Sequence, residues 1–464
     1  MSIVNINISV TSPPKPTNLL KSGALVSTGG TTLMPGSLQL LTSKDDLKNV
    51  AASAAIISAI AWATDTVTVT LSEAQDWQSG ESVPVIVSGV TPAAYNGAVT
   101  ATVTSTTEFT YPLSGDPGAA TTLGTMTTVA AAELRQMNTT YWAQGSSRAV
   151  YVLELGNLNV PAAVTALGAY IEQDTSLGNT YQTLFSYLVP REWDGELTFK
   201  TLANNYTAPG SLVKFFVTTT ISTYQDWVSG KYPNVFAGVE APAIGDTEFS
   251  MAAPFQSSLA NDPGSSNMVP PMAWRFMYGV TEYPPAGNGT LLKTLQDNHI
   301  NYIGTAAEGG LSNKMLVAGH MLDGMPFNYW YAVAWSALNL EIDLANEVIN
   351  GSNTTVNPLY YEQPGINRLQ RRALKTLRSG ISYGLILGPV VDTQLAQSDF
   401  NEAYEKGIYA GSAVINAVPF ANYTSLNPSD YADGKYNGLS AVITPKRGFE
   451  SITFNLNVTN FVGA

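Results

Sequence analysis

Val150-Tyr151-Val152-Leu153-Glu154-Leu155 reads as a strand, and Pro161 to Gln173, with its proline near the first turn, reads as the helix that follows it. The same alternation runs on from there. Strands are expected at Thr183–Val189, Val213–Thr218, Val235–Val239, Arg275–Val280 and Met315–Ala318. Helices are expected between them at Glu196–Asn204, Tyr224–Ser229, Glu248–Leu259 and Leu291–His299, then in a long Trp/Ala/Leu-rich stretch from Asn328 to Asn350. Strands alternating with helices imply a sheet covered by helices, so Arg148 to Asn350 is read as an α/β core.

Upstream the character changes. Thr66-Val67-Thr68-Val69-Thr70, Val83-Pro84-Val85-Ile86-Val87, Ala98–Val103 and Thr107–Tyr111 are short strands. They are separated by the turn signals Ser79-Gly80, Pro92, Asn96-Gly97 and Gly115-Asp116-Pro117-Gly118. This spacing predicts a small all-β module over residues 59–128. Its flanks, Leu47–Ile60 and Ala130–Trp142, read as helical, which makes the module an insertion into another domain. Downstream, from about Val356, an amphipathic helix, an apolar strand at Leu385–Val391, a shorter helix at Phe400–Gly407 and terminal strands make an α+β C-terminal domain.

Both ends alternate strictly. Val4, Ile6, Ile8 and Val10 share one apolar face against Asn5, Asn7 and Ser9, and Ile452, Phe454, Leu456 and Val458 do the same among Thr and Asn. Pro13-Pro14-Lys15-Pro16 is a stiff extended spacer after the first. An ordinary terminal strand would dock on its own domain. The spacer holds this one away from its own body, which favours pairing between chains. The expected division is therefore 1–20 as arm and spacer, 21–58 plus 129–355 as core, 59–128 as insertion, and 356–464 as a C-terminal domain with its own terminal strand arm.

Charged residues are only 12% of the 464, with hydrophobic residues at 45%. A surface left so neutral is either an uncharged polar exterior, the plain reading, or one that partners cover, the reading favoured here. The net charge of −13 argues against nucleic-acid binding, which needs clustered cations. The amino-terminal residues lack the basic and apolar regions of a signal peptide, and the longest apolar run, around Ala51–Ala63, is too short for a membrane span, so no membrane insertion is expected. With no cysteine there is no disulfide and no thiolate chemistry.

The search for catalytic chemistry returns little. The two histidines, His299 and His320, have no partner at metal-ligand spacing, so no metal and no other cofactor is expected. Gly380-Ile381-Ser382-Tyr383-Gly384 fits the nucleophile elbow G-x-S-x-G, but the histidine of such a hydrolase follows its serine, and here both precede it. There is no phosphate loop. No catalytic residue is assigned, and the chain is read as a structural protein. One feature stands out physically. Arg368, Arg371, Arg372, Lys375 and Arg378 are five of the 22 basic residues and fall within about 120° of one helical face. Ile366, Leu369, Ala373 and Leu377 line the other face. A solvated helix face is the plain reading; in a chain with 35 acidic residues, a dock for an acidic partner is the sharper one.

Ser22-Gly23-Ala24-Leu25 followed by Leu40–Leu47, then Glu133-Leu134 through Tyr141-Trp142-Ala143-Gln144-Gly145 into Val150–Gly156, then Asn367–Val391 and the closing β-region, resemble in their order the sheath proteins of contractile phage tails. Val90–Gly97 with Phe109-Thr110-Tyr111 and Asp116-Pro117-Gly118 is similar to a small β-module of phage structural proteins. The resemblance covers most of the chain outside the insertion. It implies a homo-oligomer, a helical or stacked-ring sheath around a tail tube protein, with baseplate and tail terminator proteins as further partners. It implies a place in the virion tail, with assembly in the host cytoplasm. It also implies that the residues at Val4–Val10 and Ile452–Val458 exchange strands between subunits, and that the cationic helix faces the tube. Another self-assembling virion or surface-layer protein, a tail tube for instance, is the alternative.

Overall fold

The computed structural model describes residues 19–145, 147–172, 184–208, 210–264, 266–284, 288–305 and 313–450. The chain divides into two compact units. The first holds the described residues of Ser9–Asn261 and Met277–Gly289, the second those of Asp262–Phe276 and Thr290–Ala464.

The first unit opens with β1 (Gly23–Ser27) and β2 (Leu38–Leu41), then breaks off into six strands: β3 (Ala55–Ala63), β4 (Thr66–Leu71), β5 (Ser82–Ser88), β6 (Gly97–Ser105), β7 (Glu108–Pro112) and β8 (Thr125–Thr128). These close into a barrel in the order β3-β4-β7-β6-β5-β8. Alternation builds it. Val67 and Val69, Val83, Val85 and Val87, Val103, Phe109 and Tyr111 point inward and are buried, while the threonines between them face outward. Closure removes the sheet edges.

The chain returns through α1 (Val129–Ala143) and continues β9 (Val150–Glu154), α2 (Val160–Glu172), β10 (Ser186–Leu188), α3 (Leu197–Asn205), β11 (Lys214–Thr219), α4 (Gln225–Val228), β12 (Val235–Val239) and α5 (Ala252–Leu259). The six-stranded sheet has the order β12-β11-β10-β1-β9-β2. All neighbours are parallel except β2. β1, β11 and β12 are buried at every position, as expected of parallel strands covered on both faces. Aromatic rings fill the space between layers. Phe216 stacks on Phe236 at 5.1 Å, and Phe199 meets Trp227 edge-on at 5.7 Å. From β1 the chain steps to β9 on one side, then to β10 on the other. This reversal opens a crevice at the carboxyl ends of the strands, the usual ligand position of doubly wound sheets.

The second unit contains α6 (Gly289–Asp297), the hairpin β13 (Tyr302–Thr305) and β14 (Lys314–Val317), α7 (Phe327–Ser352), α8 (Gln363–Ser382), β15 (Val390–Thr393), α9 (Gln397–Glu405), β16 (Ala413–Ala417), α10 (Phe420–Leu426), α11 (Pro428–Ala432) and β17 (Leu439–Val442). β15 pairs parallel and β17 antiparallel with the central β16. Buried Gln370 ties α8 to this sheet, its side-chain amide donating to the carbonyls of Thr393 at 2.7 Å and Ile415 at 3.0 Å.

Three expectations are corrected. Leu47–Ile60 is not a helix: Lys44–Asn49 is a single 3-10 segment and β3 already runs from Ala55. A register shift between Ile57 and Ala59, in a stretch that is apolar on both faces, hides the period of two, and Ala55–Ile57 are needed to close the barrel. Arg275–Val280 forms no strand. Trp274 and Gly279, at φ 65° and 66°, interrupt the extended run, leaving Phe276 a lone bridge to Met315. Leu385–Val391 is likewise cut, because Gly388 turns at φ 85°. A Cβ there would lie 1.6 Å from the Gly411 carbonyl oxygen, so only glycine fits, and the strand starts beyond it at Val390.

Candidate functional site

The chain's own side chains occupy the phosphate-loop position of the first unit's crevice. The loop after β1, Ser27-Thr28-Gly29-Gly30-Thr31, occupies the place where doubly wound folds cradle phosphate. Gly29 sits at φ 87°. The backbone N–H groups of Gly29 and Thr31 donate to the Glu154 carboxylate at 2.6 and 3.1 Å, and Gly156 N–H donates from the other side at 2.8 Å. The hydroxyls of Ser27 and Thr31 add 2.8 and 2.7 Å bonds. Glu154 is 1% exposed. A fully satisfied internal carboxylate therefore holds the position of an anion.

Next to it, after β10, Arg191 donates to Glu240 through Nε and Nη2, to Glu133 through Nη1, and to Gln136 Oε1 at 2.7 Å. One guanidinium faces two carboxylates. Burial, the largest cause, pushes the Glu133 carboxyl up to about 7 against the pull of Arg191. Between these groups and the barrel wall lies a cavity of about 840 Å³, lined by Thr28, Gly29, Glu81, Asn157 and Glu192 among others.

In the second unit the cationic stripe of α8 divides. Arg368 pairs with Glu347 and Arg372 with Asp343, and the Thr376 hydroxyl also donates to Asp343. The two acids stand four residues apart on α7, the two arginines four apart on α8, so the helices are joined by a partly buried ladder. Arg371, Lys375 and Arg378 remain exposed and make no ion pair among the described residues. Ile366, Ala373 and Leu377 are buried on the opposite face, and Leu369 is half-buried.

The sheet β15-β16-β17 presents two short edges. Neither β15 nor β17 pairs with another strand on its outer side among the described residues. Val391 and Leu387, near one edge, are 38% and 46% exposed. The predicted arm residues Val4, Ile6, Ile8 and Val10, and Ile452, Phe454, Leu456 and Val458, lie outside the described residues.

Ser382, of the elbow-like motif, ends α8 and donates to the Ser379 carbonyl at 2.9 Å. Among the described residues, no group of three or more His, Asp or Glu side chains could hold a metal ion, and no helix is long and apolar enough to cross a membrane. Sequence reasoning missed Glu154, and the signal was there: a lone carboxylate inside an apolar strand needs donors. It also missed the α7 acids, although Asp343 and Glu347 have helical spacing.

No protein-family model matches the chain, and no curated protein matches it. Among solved structures, it is similar to the sheath tail protein of Listeria innocua at 10% identity, covering 80% of this chain and 88% of that one, with a TM-score of 0.39. It is likewise similar to the sheath tail protein of Desulfitobacterium hafniense at 9% identity, covering 82% and 90%, with a TM-score of 0.38. Likeness at that level carries no argument about what this chain does.

Proposed function

We propose that the chain is the structural subunit of a contractile tail sheath. It polymerises as a helix or as stacked rings around a tail tube and drives the tube through the host envelope. No catalysis is involved.

The observation that carries this reading is the small sheet β15-β16-β17, both of whose outer edges are unpaired among the described residues. The sequence supplies what could complete it: two strictly alternating ends, one set off by the Pro13–Pro16 spacer and one starting shortly after β17. Strand addition at an open edge gives affinity through main-chain hydrogen bonds and specificity through alternate side chains. Such links survive large rigid-body movements of the bodies they join. Contacts between bodies then differ between extended and contracted states, and their difference supplies the free energy. The exposed cations Arg371, Lys375 and Arg378 suit an acidic tube surface in the extended state. Baseplate and tail terminator proteins would cap the two ends of the polymer, which belongs to the virion tail and assembles in the host cytoplasm.

Electron microscopy of the purified full chain tests this directly. Long striated hollow cylinders are expected. Inserting one residue between Ile6 and Asn7 turns the apolar face of that strand outward and should leave folded, soluble monomers. Cylinders from the insertion variant at wild-type concentration would remove the strand linkage on which the mechanism depends.

A further inference from the structure

The two histidines of the chain, His299 and His320, lie together in space. Their rings meet edge-on with centroids 5.8 Å apart. His299 follows α6 in a left-handed conformation at φ 61°. His320 is fixed by Asn301, which accepts from its backbone N–H at 2.8 Å and donates to its carbonyl at 2.9 Å. The Nδ1 atoms of both rings are buried without a hydrogen-bond partner among the described residues. The Nε2 of His320 points outward, to the Glu450 carboxylate at 2.8 Å. Glu450 is half-exposed and closes the described chain, directly before the alternating residues that start at Ser451.

Other contacts among the described residues also hold this last segment down, and those that follow carry no titratable pair. Arg447 reaches the Met325 sulfur at 3.1 Å, the Phe449 carbonyl accepts from Trp274 Nε1 at 3.1 Å, and Lys446 N–H bonds Leu385 O at 2.9 Å.

We infer that His320, His299 and Glu450 form a proton-operated clasp at the root of the carboxyl-terminal segment. A proton on His320 turns its bond to Glu450 into an ion pair. A second proton, on His299, sets two cations 5.8 Å apart and loosens the clasp. The other groups around His299 are Asp323, Glu450 and Asp297, and Asp297 is already paired with Lys293. Burial and then His320 outweigh these acids and hold His299 below the usual histidine value. The consequence for assembly rests on the sheath reading, in which residues 451–459 link subunits. The clasp itself does not.

Because the chain has no cysteine, Val458→Cys accepts a single spin label. Its mobility in the unassembled full chain, followed from pH 8 down to about 5 where histidines titrate, reads the clasp. The immobile fraction should rise where His320 alone carries a proton and fall where His299 carries one as well. H299N should keep the rise and lose the acid fall, while E450Q, a change at a half-exposed side chain that leaves the core alone, and H320N should be flat. The inference is overturned if the labelled parent is flat, if E450Q or H320N keeps its response, or if H299N keeps the acid fall. A pH response in a chain that never forms cylinders supports the clasp and counts against the sheath. Cylinders from a chain whose label ignores pH count against the clasp alone.

Discussion

The two units treat their unsatisfied groups in opposite ways. In the first, the barrel has no edge, one edge strand of the sheet, β12, is buried throughout while the other, β2, is exposed at Gln39 and Leu40, and the phosphate-loop position is taken by Glu154. In the second, a three-stranded sheet keeps two unpaired edges, and three cations of α8 stand without counter-ions among the described residues. Polar groups that find partners inside their own unit serve its stability. In the assembly proposed above, the open edges and unpaired cations of the second unit are the groups left for neighbours.

The most severe way to break this contrast is Glu154→Ala. The change leaves three backbone N–H groups and two hydroxyls around a buried gap. A loss of about 3 kcal/mol or more is expected, given the cost of unpaired buried donors, with Glu154→Gln intermediate. Thermal unfolding monitored by circular dichroism measures it. A variant as stable as the parent would mean that the loop satisfies itself.

A subtler variant sharpens the other side. Arg371→Glu with Lys375→Glu reverses charges that have no ion-pair partner among the described residues, so folding and self-assembly should be spared while loading onto tubes is lost. Arg368 and Arg372 are poor choices for this test, because their pairs with Glu347 and Asp343 join α7 to α8. In the parent, the same loading should weaken as salt shortens the Debye length below about 8 Å. Co-sedimentation with tubes reads both, and normal loading of the double variant would assign the surviving cations to solvent alone.

The smallest effect is expected from removing the barrel. A Gly/Ser bridge replacing Ala55–Thr127 keeps Thr128, whose hydroxyl caps α1 by accepting from Ala131 N–H at 3.2 Å. We propose that the barrel projects from the outer surface of the assembly, so cylinders should still form and look thinner in outline. Failure to assemble would make the barrel part of the intersubunit mesh.

How far the sequence could be read depended on whether a single period governed a segment. Val235–Val239 was legible to the residue, and Phe327–Ser352 nearly so, because burial on both faces or a long 3.6-residue stripe leaves one interpretation. β3 was not, since its alanines and isoleucines are apolar on both faces and its register slips once. Arg275–Val280 and Leu385–Val391 look extended in composition, yet each is interrupted by residues at positive φ, a backbone property that apolar spacing does not encode. The five cations of α8 were legible as a stripe. That two of them are committed to α7 depends on how the helices pack, and no window confined to one helix contains that information.

The barrel enters and leaves the first unit through strands that are hydrogen-bonded neighbours, with Ala55 opposite Met126 and Ile56 opposite Thr125. The two connections are thus about one strand spacing apart, near 4.8 Å. For the body, roughly seventy residues close like a two-residue turn, because the barrel's own folding bears the entropy that a long flexible loop would otherwise charge to the host. The position can therefore accept modules of very different length at the same cost of loop closure, and what the insertion carries can change without the body having to adapt.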